Sequence, residues 1–211
     1  IPHGAGPCFF MDWNPTDAWD KTAAYLRGIP ASLPEKPKAI LLVTAHWLAP
    51  QPSMSSAAQP GMLFDYYGFP PHTYELKYPA PGAPALAERV SALLAGAGFA
   101  PQQDAARGYD HGTFIPLKVA FPDADIPVLQ LSLLQSLDAA DHVRLGQALA
   151  PLRDEGLLIV GSGMSYHNMR GYGDPRSTAI AAEFDRWLTE TVAFPAPHRP
   201  PRPAASAPPR G

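Results

Sequence analysis

Residues 38–47 read Lys38-Ala39-Ile40-Leu41-Leu42-Val43-Thr44-Ala45-His46-Trp47. From Lys38 to Ala45 the run is short, apolar and continuous, with prolines upstream and His46-Trp47 downstream. An apolar run of this length without polar alternation suits a strand buried on both faces, the kind that helices cover in a parallel sheet. Ile126 to Ser132 and Leu157 to Gly161 read the same way. Between these runs the apolar period changes. Leu86, Val90, Leu93 and Leu94 fall on one helix face, as do Leu145, Leu149 and Leu152, and a third amphipathic segment carries Ile180, Phe184, Trp187 and Leu188. Gly96 and Gly98 stop the first helix, and Gly156 stops the second. Strands alternating with helices predict an α/β fold: a single domain with a central mixed or parallel sheet flanked by helices.

The 211 residues, 46% hydrophobic and 17% charged, are enough to bury one substantial core, which excludes wholesale disorder and fibrous repeats. Prolines number 27, and seven of them lie between Pro195 and Pro209. Three of the 16 basic residues, Arg199, Arg202 and Arg210, fall between Pro195 and the last residue, Gly211, and none of the 19 acidic ones, so the rest of the chain carries −6 rather than −3. An acidic body argues against nucleic-acid binding. No apolar run approaches the ~20 residues of a membrane span and no leader pattern is present, so the expectation is an unexported, cytoplasmic protein that does not engage membranes. The one cysteine, Cys8, excludes an internal disulfide and a Cys-based zinc site. A bound metal must therefore rest on histidine and carboxylate.

Pro50 to Pro84 and Gly161 to Arg176 are too rich in Pro, Gly, Tyr and Ser to read as regular elements. The aromatic run Phe64-Asp65-Tyr66-Tyr67-Gly68-Phe69 marks the first as an ordered binding loop. Seven histidines are spread along the chain. His46 follows the first strand; His167 follows the strand near Gly161 through a Gly/Ser loop; His3 sits in the turn Pro2-His3-Gly4-Ala5-Gly6-Pro7. Side chains at the carboxyl ends of strands in an open α/β sheet can converge on one ligand. His111 lies beside Asp110, which is placed to orient its imidazole. Neutral imidazoles bind zinc, iron, copper or nickel, so one reading is a shared metal site and the other is a set of satisfied core and surface histidines. His72 reads more as a capping residue than as a substrate contact, and His142 and His198 as solvent-facing. For Trp47, Phe64, Tyr66, Tyr67 and Phe69 a substrate wall and ordinary packing both remain open.

His3-Gly4-Ala5-Gly6-Pro7, Thr44-Ala45-His46-Trp47, Phe64 to Pro71 with Tyr74 and Tyr78 to Gly82, Asp110-His111-Gly112, and Gly161-Ser162-Gly163 followed by His167-Asn168 occur in one order. Together they resemble the DOPA-dioxygenase type of class III extradiol ring-cleavage dioxygenases, from Ile1 to about Val192. The resemblance implies an α/β fold holding one divalent metal at the strand ends, with His3, His46 and His167 as metal ligands. It implies acid/base roles for His111 and His167. Zinc is expected as isolated and Fe(II) for ring cleavage. The substrates would be a DOPA-like catechol and O2, and the product a ring-opened semialdehyde. Residues 1–193 are expected to form the dioxygenase domain and 194–211 a Pro/Arg-rich disordered tail. Family members continue with a segment carrying a further histidine ligand. This chain instead runs into Pro195-Ala196-Pro197-His198, where His198 is a poor substitute.

Two other readings stand beside this one. A catalytically silent metal-binding or interaction protein would keep the fold without the last ligand. A metal-dependent hydrolase would need a carboxylate base, for which Asp12, Asp65 and Asp110 are the candidates; its nucleophile elbow G-x-S-x-G is absent around Ser162.

Overall fold

The computed structural model describes residues 1–171 and 174–193. The Pro/Arg-rich stretch 194–211, and His198 within it, lie outside the described residues. Five strands, β1 (Ala39–Ala49), β2 (Ser53–Ser55), β3 (Gln102–Asp104), β4 (Val128–Leu134) and β5 (Leu157–Ser162), form one mixed sheet in the order β3-β2-β4-β1-β5. β1 is central and parallel to both β4 and β5, while β2 meets β4 antiparallel through Met54 and Leu131.

Alternation along β1 shows why the run has no polar face. Ile40 and Leu42 join one core with Leu26 of α1 (Asp20–Ser32) and with Phe114, Ile115 and Leu117 of α3 (His111–Ala120). Leu41 joins the other with Val90 and Leu94 of α2 (Pro84–Gly96) and Leu145 and Leu149 of α4 (Ala139–Leu149). The sheet is thus covered on both faces, and each fully buried aliphatic side chain contributes roughly 1.5–3 kcal/mol by leaving water.

Several elements differ from the sequence expectation. β1 does not end at Ala45; it runs through His46 to Ala49, but its register against β4 shifts between Val43 and Leu48. Four residues of β1, Thr44 to Trp47, there lie opposite one of β4, Ser132, so the strand bulges where His46 lies, and bulges re-aim side chains. α1, α3 and the short β3 were not expected. α3 is buried on all sides and so has no amphipathic period, and it contains Pro116. Its start was nevertheless marked: Asp110 caps it by accepting from the Thr113 N–H. The stretch from Pro50 to Pro84 also holds β2 and a 3-10 turn, Pro71–Glu75.

Contacts divide the chain into two units, Ile1–Met164 with the whole sheet and a second beginning at Ser165. Within the second, α5 (Pro175–Ala193) stacks Phe184 on Tyr166 and Trp187. Among the described residues no helix is long and apolar enough to cross a membrane.

Candidate metal centre

Three imidazoles from distant parts of the chain converge: His3, His46 and His111 each offer a nitrogen, all within 4.8 Å of one another. The His46 and His111 rings lie 3.9 Å apart between centroids, and His3 lies 4.8 Å from His46 and 5.3 Å from His111. His3 and His111 are buried and His46 is partly exposed.

Each ring is seated by a specific local feature. His3 precedes Gly4, whose φ of +82° turns the chain; a Cβ there would sit 2.2 Å from the Cys8 sulfur. His46 stands on the bulge of β1, its backbone N–H donating to Thr44 Oγ1 at 3.1 Å. His111 opens α3. The strand and helix approach so closely that a Cβ on Gly112 would meet Thr44 Oγ1 at 2.7 Å and the His46 ring at 3.0 Å.

The hydrogen bonds decide which nitrogens carry protons. Pro116 has no N–H, so within α3 the Gly112 carbonyl lacks its helical donor. The Ser162 hydroxyl donates to that carbonyl instead. With its one proton spent there, Ser162 Oγ accepts from His3 Nδ1–H at 3.2 Å, and His3 Nε2 is left with a lone pair. His111 Nδ1 donates to Asp65 Oδ1 at 2.7 Å, and the His111 backbone N–H donates to the same oxygen at 2.9 Å. Asp65 Oδ2 faces His46 Nδ1 at 3.7 Å. Burial alone would raise the Asp65 carboxyl, but the two hydrogen bonds from His111 and its charge outweigh it and hold the group below its usual range.

Asp110 does not orient His111 as the sequence suggested. Its Oδ1 accepts from Thr44 Oγ1 at 2.9 Å and caps α3, and its Oδ2 pairs with Arg107 at 3.0 Å. Burial raises its pKa against these donors. The Arg107 guanidinium also lies 4.4 Å over the Trp47 ring. Phe64, Tyr66, Phe69 and Tyr74 pack with Phe114 as a connected aromatic cluster, whereas Tyr67 is 91% exposed.

His72 does not cap; its Nε2 meets the Phe10 carbonyl at 3.0 Å. His142 is not simply solvent-facing: Nδ1 donates to the Asp138 carbonyl and Nε2 accepts from the Leu134 N–H, fastening α4 to the end of β4. His167 belongs to the second unit, in the segment before the short helix Met169–Gly171. The sequence marked Asp65 as a candidate carboxylate base among aromatics and Ser162 as part of a Gly-Ser-Gly turn, but it carried no signal that either orients a histidine.

The residues fit a divalent metal. His3 and His46 bring their Nε2 atoms to 3.0 Å. Two nitrogens bound to one ion at about 2.0–2.1 Å stand roughly 2.9–3.4 Å apart for angles between a right angle and the tetrahedral value. The His3 Nδ1–H held by the Ser162 oxygen is also the usual support of a metal-binding histidine.

A model of the family described as the catalytic LigB subunit of aromatic ring-opening dioxygenase matches residues 1–193. The chain belongs to this family. Relatives include a 4,5-DOPA dioxygenase extradiol of Beta vulgaris, 49% identical over 158 residues that cover 73% of this chain and 59% of the relative. Another, named 4,5-DOPA dioxygenase extradiol in Escherichia coli, is 36% identical over 93% of this chain and 70% of its own length. A crystal structure of an uncharacterized Escherichia coli protein has the same fold, with a TM-score of 0.66 and 34% identity over 83% of this chain and 67% of that one. The chain thus spans less than two thirds of the Beta vulgaris relative.

Proposed function

We propose that the chain is a metal-dependent extradiol dioxygenase that opens a DOPA-like catechol. The observation that carries this reading is the convergence of His3, His46 and His111 within 4.8 Å in a LigB-family chain. His3 and His46 hold the metal through Nε2. The family resemblance also implies a role for His167 as a further ligand or as an acid/base. Imidazole suits both zinc and iron. Bound Fe(II) supplies the redox chemistry that O2 needs, and zinc supplies Lewis acidity alone.

The protein's own groups prepare the substrate. His111, its Nδ1–H fixed on Asp65, keeps a basic Nε2 that takes the proton of a catechol hydroxyl. The negative Asp65 beside it stabilises the imidazolium that results. The aromatic cluster of Phe64, Tyr66 and Tyr74 gives that side of the ring system an apolar packing surface. The overall change is balanced without an outside reductant. One C–C bond beside the diol breaks, both atoms of O2 enter the product, and the ring becomes a semialdehyde carrying a carboxylate.

The test is anaerobic loading with Fe(II) followed by DOPA and O2. The expected result is a yellow semialdehyde with one O2 consumed per substrate, lost in His3→Ala and His46→Ala. Ring opening that survives both substitutions would overturn the mechanism. Metal binding without O2 uptake would point to the silent metal-binding form.

A further inference from the structure

We propose that Asp65 is the common positioning residue of this site, one carboxylate that sets the orientation and tautomer of His46 and His111 together. The inference rests on the metal-centre reading above and extends it to a residue outside the histidine set. Each oxygen of Asp65 addresses a different ring: Oδ1 accepts from His111 Nδ1 at 2.7 Å, and Oδ2 stands 3.7 Å from His46 Nδ1. The two rings are themselves in contact, 3.9 Å between centroids at an angle of 47°. Turning either one therefore disturbs the other.

The carboxylate is held from outside the site. The Leu63 N–H donates to the Tyr109 carbonyl at 2.8 Å, the residue that immediately precedes the Asp110 cap of α3. On the other side Tyr66 donates its hydroxyl to the Thr73 carbonyl at 2.6 Å, and its ring lies edge-on to His111 at 5.8 Å. The aromatic loop thus presents Asp65 to both histidines at a fixed height. Asp110, the neighbouring acid, has its oxygens engaged by Thr44, Thr113 and Arg107.

A carboxylate accepts at both oxygens, whereas an amide of the same shape accepts at one and donates from the other. In Asp65→Asn the amide oxygen serves one ring and the NH2 faces the other. That second ring is driven to carry its proton on Nε2, the nitrogen that has to bind metal or take a proton from substrate.

The test uses the full chain and needs no turnover. Zinc affinity measured by calorimetry should fall about tenfold to hundredfold in Asp65→Asn, the usual loss when a ligand histidine loses its orienting partner. Nitrogen-15 spectra of the zinc-loaded protein, in which the metal takes the place of a proton on His46 Nε2, should show the Nδ1–H signal of His46 or His111 change in Asp65→Asn. Asp65→Glu, which keeps two acceptors, should retain the parent tautomers, and it decides the matter if Asp65→Asn does not fold. A zinc affinity within about twofold of the parent with both Nδ1–H signals unchanged in zinc-loaded Asp65→Asn, or a changed tautomer in zinc-loaded Asp65→Glu, would overturn the proposal. Absence of O2 chemistry in the parent would defeat the dioxygenase reading while leaving the affinity and tautomer results to judge Asp65.

Discussion

Ser162→Ala tests the path that sets the His3 proton. The Ser162 hydroxyl is buried, donates to the Gly112 carbonyl and accepts from His3 Nδ1. Alanine removes one oxygen and leaves two buried polar groups without that partner: a carbonyl that Pro116 cannot serve, and an imidazole N–H. Each such group costs at least about 1 kcal/mol, so the fold should lose about 2 kcal/mol. For a chain of this size that is a fall in Tm of roughly 4–8 °C. His3 then loses the acceptor that fixes its Nδ1 proton, so zinc affinity should fall about tenfold to hundredfold as well. Thermal unfolding of the metal-free chain and calorimetric zinc titration read the two effects separately. A variant that unfolds within about 1 °C of the parent and binds zinc equally well would refute both the hydrogen-bond assignment and the inward-facing Nε2 of His3.

Two further outcomes follow from close packing. Gly112→Ala should weaken zinc binding more than it lowers Tm, because its Cβ would press on Thr44 Oγ1 and the His46 ring; equal zinc affinity in a calorimetric titration would show that β1 and α3 can separate at little cost. Burial, opposed by backbone donors at Ala5, Cys8 and Phe9, pushes the Cys8 thiol up to about 12. Native protein should therefore react with iodoacetamide slowly, at a rate that climbs about tenfold per pH unit and is still rising at about pH 10, and at an ordinary thiol rate once denatured. A native rate that levels off above about pH 8.5 would mean that Cys8 has an ordinary thiol pKa and is exposed to solvent.

What was legible in the sequence follows from how far each signal reaches. The strand at Ala39–Ala49 and the helices at Pro84–Gly96 and Ala139–Leu149 were visible because burial on one or both faces leaves a period or an unbroken apolar run. α3 was not, because a helix surrounded by protein has no polar face and Pro116 reads as a breaker. Histidines in glycine-rich or strand-end positions were recognisable as candidates. Their partners were not, because Ser162 and Asp65 act across 159 and 46 residues of chain. Asp110 misled for the same reason: adjacency to His111 in sequence suggested contact, but a residue just before a helix turns its side chain back to the free N–H groups of the first turn. Thr44, which joins β1 to Asp110, likewise looked like an ordinary strand residue.

The places where local rules are broken gather around the histidines. Gly4 has φ +82° beside His3, β1 bulges at His46, and α3 holds a proline one turn beyond His111. Each departure weakens its own element, and each frees or aims a group that the site uses, which is the pattern expected where function rather than packing has chosen the residue. Pro116 is the sharpest case. Pro116→Ala restores an N–H that can donate to the Gly112 carbonyl, which improves the helix while competing for the acceptor that holds the Ser162 hydroxyl. The substitution should leave Ser162 in place, so zinc affinity falls by less than about tenfold, a smaller loss than in Ser162→Ala, where the orienting hydroxyl is gone altogether. The His3 tautomer then becomes a mixture in nitrogen-15 spectra of the metal-free chain. If that ring stays wholly Nδ1–H with zinc binding unchanged, the missing helical donor is not what directs Ser162, and the proline is there to pack the core.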